Sequence, residues 1–341
     1  MGASGPTISS RRAAEVLQRA AAKRAIVLGD MVADEHVIGS ATRLSREAPL
    51  PVIEEHQRIL VPGAGANVAT NLRGLGCDVA VAGVVGADAM ADRLSEQLEQ
   101  RGIATDGLIR DADRTTAVKL RVWAGGDRQR PQSMIARVDS VDRSPVKPAT
   151  VDAMASFLDS AIPSADALVI SDYEAGVVSS SVLRSALPAA RDAGLVVTAD
   201  AHGQLARFRD ATLLTPNQPE AEAELGRQIT STSEAQAAAG ELRQAIGVEA
   251  VLVTLGAAGM VLDAGDQGRA LFPAAVAGRV VDPSGAGDTV AAAMTAAFLG
   301  GATPHEAAAL SAVAARIVVR QLGVVVVSAD QIVSEAGDDD A

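Results

Sequence analysis

The sequence is short of the residues that staple small domains or hold structural metals. A single cysteine, Cys77, in 341 residues excludes an internal disulfide and gives no sign of an oxidising compartment. With only four scattered histidines beside it, a structural zinc set is excluded as well. Aromatic residues are scarce too: one Trp, one Tyr and four Phe. The core must then be built from Ala, Val, Leu and Ile, which suits helices packed on a parallel sheet. Basic residues are outnumbered, 30 Lys and Arg against 42 Asp and Glu, for a net charge of −12. Such a chain lacks the basic surface that a nucleic-acid backbone demands, although a local pocket for a small anion remains open to it. No uninterrupted apolar run reaches the roughly 18 residues of a spanning helix. No apolar signal-peptide centre precedes the first strand. The expectation is a cytoplasmic protein whose partners are small molecules, with no nucleic acid and no membrane.

What is present is a regular alternation. Ser10 to Lys23 reads as a helix and Ala25–Gly29 as a short buried strand. Further on, strands at Val79–Val85, Ala167–Ser171, Leu195–Thr198, Thr212–Leu214 and Ala250–Thr254 alternate with helical stretches such as Ala89–Arg101, Ser180–Ala193 and Ser233–Ile246. This rhythm predicts an α/β fold with a mainly parallel sheet covered on both faces. Pro49–Glu55, Thr115–Trp123 and Ser133–Val138 break the rhythm, and their alternating polarity predicts a small β-lid at one end of the sheet. The expected organisation is a helical extension over 1–24, one domain over 25–330 with lid segments near 35–60 and 107–138, and a disordered acidic tail over 331–341. Ligands of such sheets bind beyond the carboxyl ends of the strands, so residues just after each strand carry the functional expectation.

The strongest of these is DPSGAGDT, Asp282 to Thr289, opening an apolar helix. Gly285, Ala286 and Gly287 let backbone N–H groups converge at a helix N-terminus, which holds an anion. Asp288 beside such a cradle can take a proton from an attacking hydroxyl. A glycine turn followed by an N-terminal Asp is the bland alternative. The second is VPGAGANVA, Val61 to Ala69, where Gly63 and Gly65 allow close approach and Asn67 is a lone polar side chain able to read a hydroxyl or cap a turn. The third is Asp34, placed at the exit of the first strand, where a carboxylate can accept hydrogen bonds from two sugar hydroxyls; nearby Asp30 reads as a turn residue. Cys77 and Trp123 read as packing residues, and His36 and His56 as exposed loop histidines flanking lid segments.

These motifs, in this order, resemble the PfkB carbohydrate kinases, whose fold is the ribokinase-like three-layer α/β/α sandwich with a lid. TPNQPE, Thr215 to Glu220, resembles the family's N-x-x-E element, and VTLGAAG, Val253 to Gly259, its nucleotide-side loop. The resemblance spans roughly 24 to 330. Within the family, SREAPLPV from Ser45, VKLRV from Val118 and ATLLTPN from Ala211 are most similar to the kinases that phosphorylate the anomeric hydroxyl of D-glycero-D-manno-heptose 7-phosphate. The resemblance implies an ATP-dependent kinase with Asp288 as base and residues 285–287 as anion hole. It also implies a nucleotide and Mg²⁺ site from Asn217, Glu220, Thr254, Gly256, Gly259 and Ser284, with Glu220 toward the metal. A sugar site from Asp34, Gly63, Gly65, Asn67, Lys119, Arg121 and Arg137 follows, as do a homodimer through the lid and room for a monovalent cation. Such kinases are often fused to a nucleotidyltransferase domain, for which 341 residues leave no space.

The chain departs from the heptose-kinase pattern at Ala175 and His202, both usually Lys, while Glu174 adds an anion. Ala312 stands where an Asn near the nucleotide is usual, and Gly323 to Val327 is apolar where the pattern is polar. Opposite charge is the main means of holding a phosphate, so a PfkB kinase for another sugar, phosphosugar or nucleoside is one alternative. A catalytically silent sugar- or nucleotide-binding protein is another.

Overall fold

The structure, a computed structural model, describes residues 6–125, 133–274, 280–321 and 323–337. The first helix, α1 (Ser10–Ala20), starts where the Ser9 side chain accepts the Arg12 amide. Its buried residues, Ala13, Val16, Leu17 and Ala20, recur at one-face helical spacing. The helix is therefore seated on the core rather than standing off it as an extension. Arg12 fastens it further, with an ion pair to Glu306 at 2.7 Å.

There follow β1 (Arg24–Gly29), β2 (Met31–Leu44), β3 (Pro51–Ala64), α2 (Gly65–Gly74), β4 (Asp78–Gly86), α3 (Ala89–Glu99) and β5 (Ala104–Asp111). Next come β6 (Ala117–Ala124), β7 (Ser133–Ser140), α4 (Pro148–Ala161), β8 (Ala167–Asp172), α5 (Ser180–Asp192), β9 (Val196–Ala201) and β10 (Leu213–Leu214). The rest is α6 (Gln218–Leu225), α7 (Thr232–Ile246), β11 (Ala250–Thr254), β12 (Met260–Asp263), β13 (Arg269–Phe272), α8 (Ala286–Leu299), α9 (Pro304–Val318) and α10 (Ala329–Glu335).

The large sheet runs β13-β12-β11-β10-β9-β8-β1-β4-β5. Every pairing from β11 to β5 is parallel, and β12 and β13 close one edge as antiparallel strands. Its strands are buried on both faces, as a sheet covered by helices requires. Along β1, Ala25 and Val27 join the core beneath α1, α2, α3, α8 and α9, whereas Ile26 and Leu28 join the core beneath α4, α5 and α7. Two layers of helix thus sandwich one sheet, the three-layer arrangement expected.

A second sheet, β3-β2-β6-β7, forms the lid. Three expectations are corrected here. Asp34 does not end the first strand; it lies within β2, a long lid strand that the polar residues Asp34, Glu35 and His36 disguised as a loop. Residues 107–111 belong to the main sheet, because β5 pairs with β4 and its Leu108 and Ile109 pack on the two cores. Residues 331–335 are helical: α10 has a capping box between Ser328 and Gln331, and Ile332 is fully buried. Residues 338–341 of the expected acidic tail lie outside the described residues. His36 is also not an exposed loop residue. It is buried in β2, where the Trp123 indole donates to its Nδ1 at 3.0 Å, and burial chiefly, with the charge of Arg121, lowers its pKa. His56 is exposed, as expected, against Ser40. Cys77 is buried and its thiol is pushed up to about 11, mainly by burial, which leaves it inert.

Candidate active site

The exits of β1, β8, β9 and β10 converge under the lid and beside the N-terminus of α8. Gly29 and Asp30 end β1. Asp30 is buried and accepts the backbone amides of Tyr173 at 2.8 Å, Ala175 at 3.1 Å and Val177 at 3.3 Å. Burial raises its pKa against those three donors. It is thus more than a turn residue: it ties the loop after β8 into one shape and so fixes where Tyr173 stands.

Asp288 sits in the first turn of α8 and is 3% exposed. Its Oδ2 accepts the Asn67 amide at 2.7 Å and its Oδ1 accepts the Tyr173 hydroxyl at 2.7 Å. Burial pushes its pKa up to about 6; the bonds from Asn67 and Tyr173 hold it down, and the charge of Asp34 adds to the rise. A carboxylate poised near neutrality and fixed by two donors has the properties of a general base. The turn before it is built for close approach. Gly285 takes a left-handed conformation at φ 75°, and nothing stands within 4 Å of where a side chain on Gly287 would begin. Ala286 is the first helical residue. The Ala286 amide donates to the Pro283 carbonyl at 3.2 Å, and Gly285 lines a cavity at the positive end of this 14-residue helix.

Asn67 is placed differently from the expectation of a sugar-reading side chain. Its Nδ2 donates to Asp288, and its Oδ1 accepts Asn71 Nδ2 at 3.0 Å. Asn71 in turn accepts the Val327 amide. Asn67 positions the carboxylate. Gly65 opens α2, donating to the Asp30 carbonyl at 3.0 Å.

On the lid side, Asp34 faces Arg121 at 2.9 Å, both nearly buried. The pair is poorly aligned: Asp34 Oδ1 and one terminal Arg121 nitrogen have no hydrogen-bond partner among the described residues. Those are the two atoms of the ion pair itself, and both residues line a cavity, where a paired acceptor and donor suit a polyhydroxylated ligand. Gly63 makes room for this carboxylate, since a Cβ there would lie 2.7 Å from Asp34 Cγ. Lys119 stands opposite Asp34 across the strands, with its ammonium 4.5 Å from the centre of the Tyr173 ring. Burial is the main cause of its lowered pKa. Arg137, on exposed β7, forks onto Asp139 with both contacts at 2.8 Å. Asp34, Lys119, Arg121, Arg137, Tyr173 and Asp288 all line one cavity of about 380 Å³. Ser284, expected on the nucleotide side, also lines it and donates its amide to Asp282 at 2.9 Å.

The expected nucleotide residues cluster beyond it. Asn217 and Glu220 form a capping box at the start of α6, and Glu220 Oε1 also contacts His202 Nδ1 at 2.9 Å. Thr254 bridges back to Asn217. Gly256 and Gly259 are both left-handed, and a Cβ on Gly259 would meet the Phe272 carbonyl at 2.1 Å, so the loop can only close with glycine there. Among the described residues no group of three or more His, Cys, Asp and Glu side chains is arranged to hold a metal. Both Glu220 oxygens are bonded within the protein, Oε2 to the Asn217 amide and Oε1 to Asn217 Nδ2 and His202.

The reading by motif left three participants without a firm role. Tyr173 holds the second oxygen of Asp288. Asp200, at the end of β9, is buried, accepts the Thr215 hydroxyl at 3.1 Å, and is pushed up to about 7 by burial and then by the charge of Asp288. His202 stacks against Tyr173 with ring centres 4.0 Å apart. Burial works against its charge, but Glu220, Asp200 and Asp288 outweigh it and its pKa is raised. All three follow or end strands of the main sheet, β8 or β9, but their types do not reveal the shared partners.

A base whose pKa burial pushes up to about 6 makes the rate pH-dependent. We expect kcat/KM to climb close to tenfold per unit on the acid side and level off above about 7. A profile flat from pH 5 to 7.5 would remove Asp288 from proton transfer.

A buried carboxylate at a glycine-led helix N-terminus, set at the carboxyl ends of a parallel sheet under a β-lid, marks a kinase of small hydroxylated molecules. Residues 24–330 match the pfkB family carbohydrate kinases, and the chain belongs to that family. It is a phosphotransferase with a sugar hydroxyl as acceptor. Among curated proteins it is similar to the Bifunctional protein HldE of Citrifermentans bemidjiense, 36% identical over 96% of this chain and 66% of that one. It is also similar to the protein of the same name from Caulobacter vibrioides, 38% identical over 92% and 63%. The chain thus spans less than two thirds of the length of these relatives. Among solved structures, Arabidopsis thaliana ribokinase complexed with ribose and ATP superposes with a TM-score of 0.70 at 21% identity, covering 92% of this chain and 98% of that one. That likeness establishes the ribokinase-like fold.

Proposed function

We propose that the protein transfers the γ-phosphoryl group of ATP to the anomeric hydroxyl of D-glycero-D-manno-heptose 7-phosphate. The observation that carries the reading is the lining of the cavity under the lid. The carboxylate of Asp288 stands in one part of it, and Lys119, Arg121, Arg137 and Arg143 stand around the rest. A sugar that already bears a phosphate suits both ends. The similarity to proteins named HldE and the resemblance of VKLRV and ATLLTPN to heptose-7-phosphate kinases support the same acceptor.

In this reading Asp34 and Arg121, which line the cavity, hold sugar hydroxyls. The acceptor hydroxyl reaches Asp288, which takes its proton as the oxygen attacks phosphorus in line. The amides of Gly285 and Gly287 neutralise charge on the transferring group. Asn217, Glu220 and Thr254 to Gly259 would line the nucleotide side, with Glu220 the carboxylate toward Mg²⁺, which would supply further charge neutralisation when bound. Lid strand β7 leaves Met134, Ile135 and Val138 about half exposed, and pairing of two lids in a homodimer would cover them. No described helix is long and apolar enough to cross a membrane.

One observation favours a second acceptor. Ala175 and Glu174 line the cavity where the heptose-kinase pattern has a lysine, which removes a cation and adds an anion. The test is ADP release with heptose 7-phosphate, fructose 6-phosphate, ribose, fructose and adenosine as acceptors. The account expects the highest kcat/KM on the heptose phosphate. A higher value on another compound keeps the kinase and retires the heptose; binding without turnover on any of them retires the kinase.

A further inference from the structure

The two oxygens of Asp288 are held in unlike ways. On Oδ2, Asn67 is locked: it is buried, its own oxygen is taken by Asn71, and Asn71 is bonded to the main chain at Val327. On Oδ1 the Tyr173 hydroxyl stands on the cavity side. The main chain of Tyr173 is pinned by Asp30 at 2.8 Å. Its ring is not pinned in that manner. Lys119 and His202 flank it at 4.5 Å and 4.0 Å, and both of those groups line the cavity and are charged or chargeable. An anionic acceptor or phosphate entering the cavity draws on the groups that seat the ring.

A cavity of about 380 Å³ holds many waters when no acceptor is present. Water next to an unshielded general base and a bound nucleoside triphosphate is itself an acceptor. A kinase must therefore keep its base from water until the sugar arrives. We infer that Tyr173 guards Asp288: its hydroxyl occupies the oxygen through which the base works, and yields it when the acceptor enters, so that the nucleotide is not wasted on water. This rests on the reading of Asp288 as the base. The step that Tyr173 suppresses is balanced. Water oxygen bonds to the γ-phosphorus, the bond from that phosphorus to the β–γ bridging oxygen breaks, the water proton passes to Asp288 and then to solvent, and the nucleoside diphosphate and phosphate leave.

Tyr173→Phe removes one oxygen and leaves the ring in its seat. The experiment measures phosphate release from ATP–Mg²⁺ with no acceptor, in the wild type, Tyr173→Phe, Asp288→Asn and the double variant, with melting temperature as the check on folding. The expected result is a rise in acceptor-independent hydrolysis of tenfold or more in Tyr173→Phe (an order-of-magnitude expectation for one catalytic hydrogen bond), cancelled in the double variant. Hydrolysis at or below the wild-type rate in Tyr173→Phe, while Asp288→Asn abolishes sugar phosphorylation, overturns the guard and keeps the base. Increased hydrolysis that persists in the double variant overturns it too, since Asp288 would not be the group released. Sugar phosphorylation that survives in Asp288→Asn overturns the base reading itself.

Discussion

Asp288→Asn is expected to lower kcat for sugar phosphorylation by about 10²–10⁴-fold, the usual contribution of a positioned general base. The substitution keeps the size of the side chain and the acceptor oxygen for one of its two donors. It removes the group that takes the proton. Stability should move little, for a reason with a definite sign. Folded Asp288 titrates near 6, above the roughly 3.9 of an unfolded aspartate, so its ionisation weakens the fold as pH rises from about 4 to about 6. Asparagine escapes that loss, which offsets the mismatched contact it makes with Asn67. A melting temperature within a few degrees of wild type at pH 8, with acceptor binding retained and turnover lost, is the expected pattern. Turnover within tenfold of wild type would take the base away from Asp288.

Gly285→Ala is expected to cost about 10²-fold in kcat, the scale on which a misplacement near 1 Å acts. Two effects add. The backbone at 285 is left-handed, which costs a residue with a Cβ about 1–2 kcal/mol. The new Cβ would also begin 2.8 Å from Asn67 Nδ2, the atom that holds Asp288. Asn67 cannot step aside freely, because it is buried and bonded to Asn71. The strain is therefore passed to the base, which loses a donor that holds its pKa down. The acid limb of kcat should move to higher pH as kcat falls. A variant with lowered stability but an unmoved pH profile would show that Gly285 matters only to the turn.

Much of this arrangement was legible in the sequence because it lies in local pattern. Strands that alternate with helices place the sheet, and GAGD before an apolar helix places Asp288, Gly285 and Gly287 without any knowledge of neighbours. What was not legible depends on distant pairing. Asp34 looked like a strand-exit residue because the polar run from Asp34 to His36 broke the strand pattern; only pairing of β2 with both β3 and β6 keeps that run extended and buried. Asn67 looked free for a sugar because its partner, Asp288, is 221 residues away. Tyr173 directly follows β8, yet its hydroxyl bond spans 115 residues. Residues 331–335 fall in the expected tail, since a seven-residue helix with one buried Ile332 has too little periodicity to show. In each case the residue type was plain and the partner was not.

The most direct test of the account is a phosphorus NMR spectrum of the product formed from ATP–Mg²⁺ and D-glycero-D-manno-heptose 7-phosphate. The account predicts a second sugar phosphate coupled to the anomeric proton, formed by the wild type and lost in Asp288→Asn. A second phosphate at another carbon would contradict the proposed acceptor hydroxyl, and an unchanged sugar with ATP and heptose both bound would contradict the proposed transfer altogether.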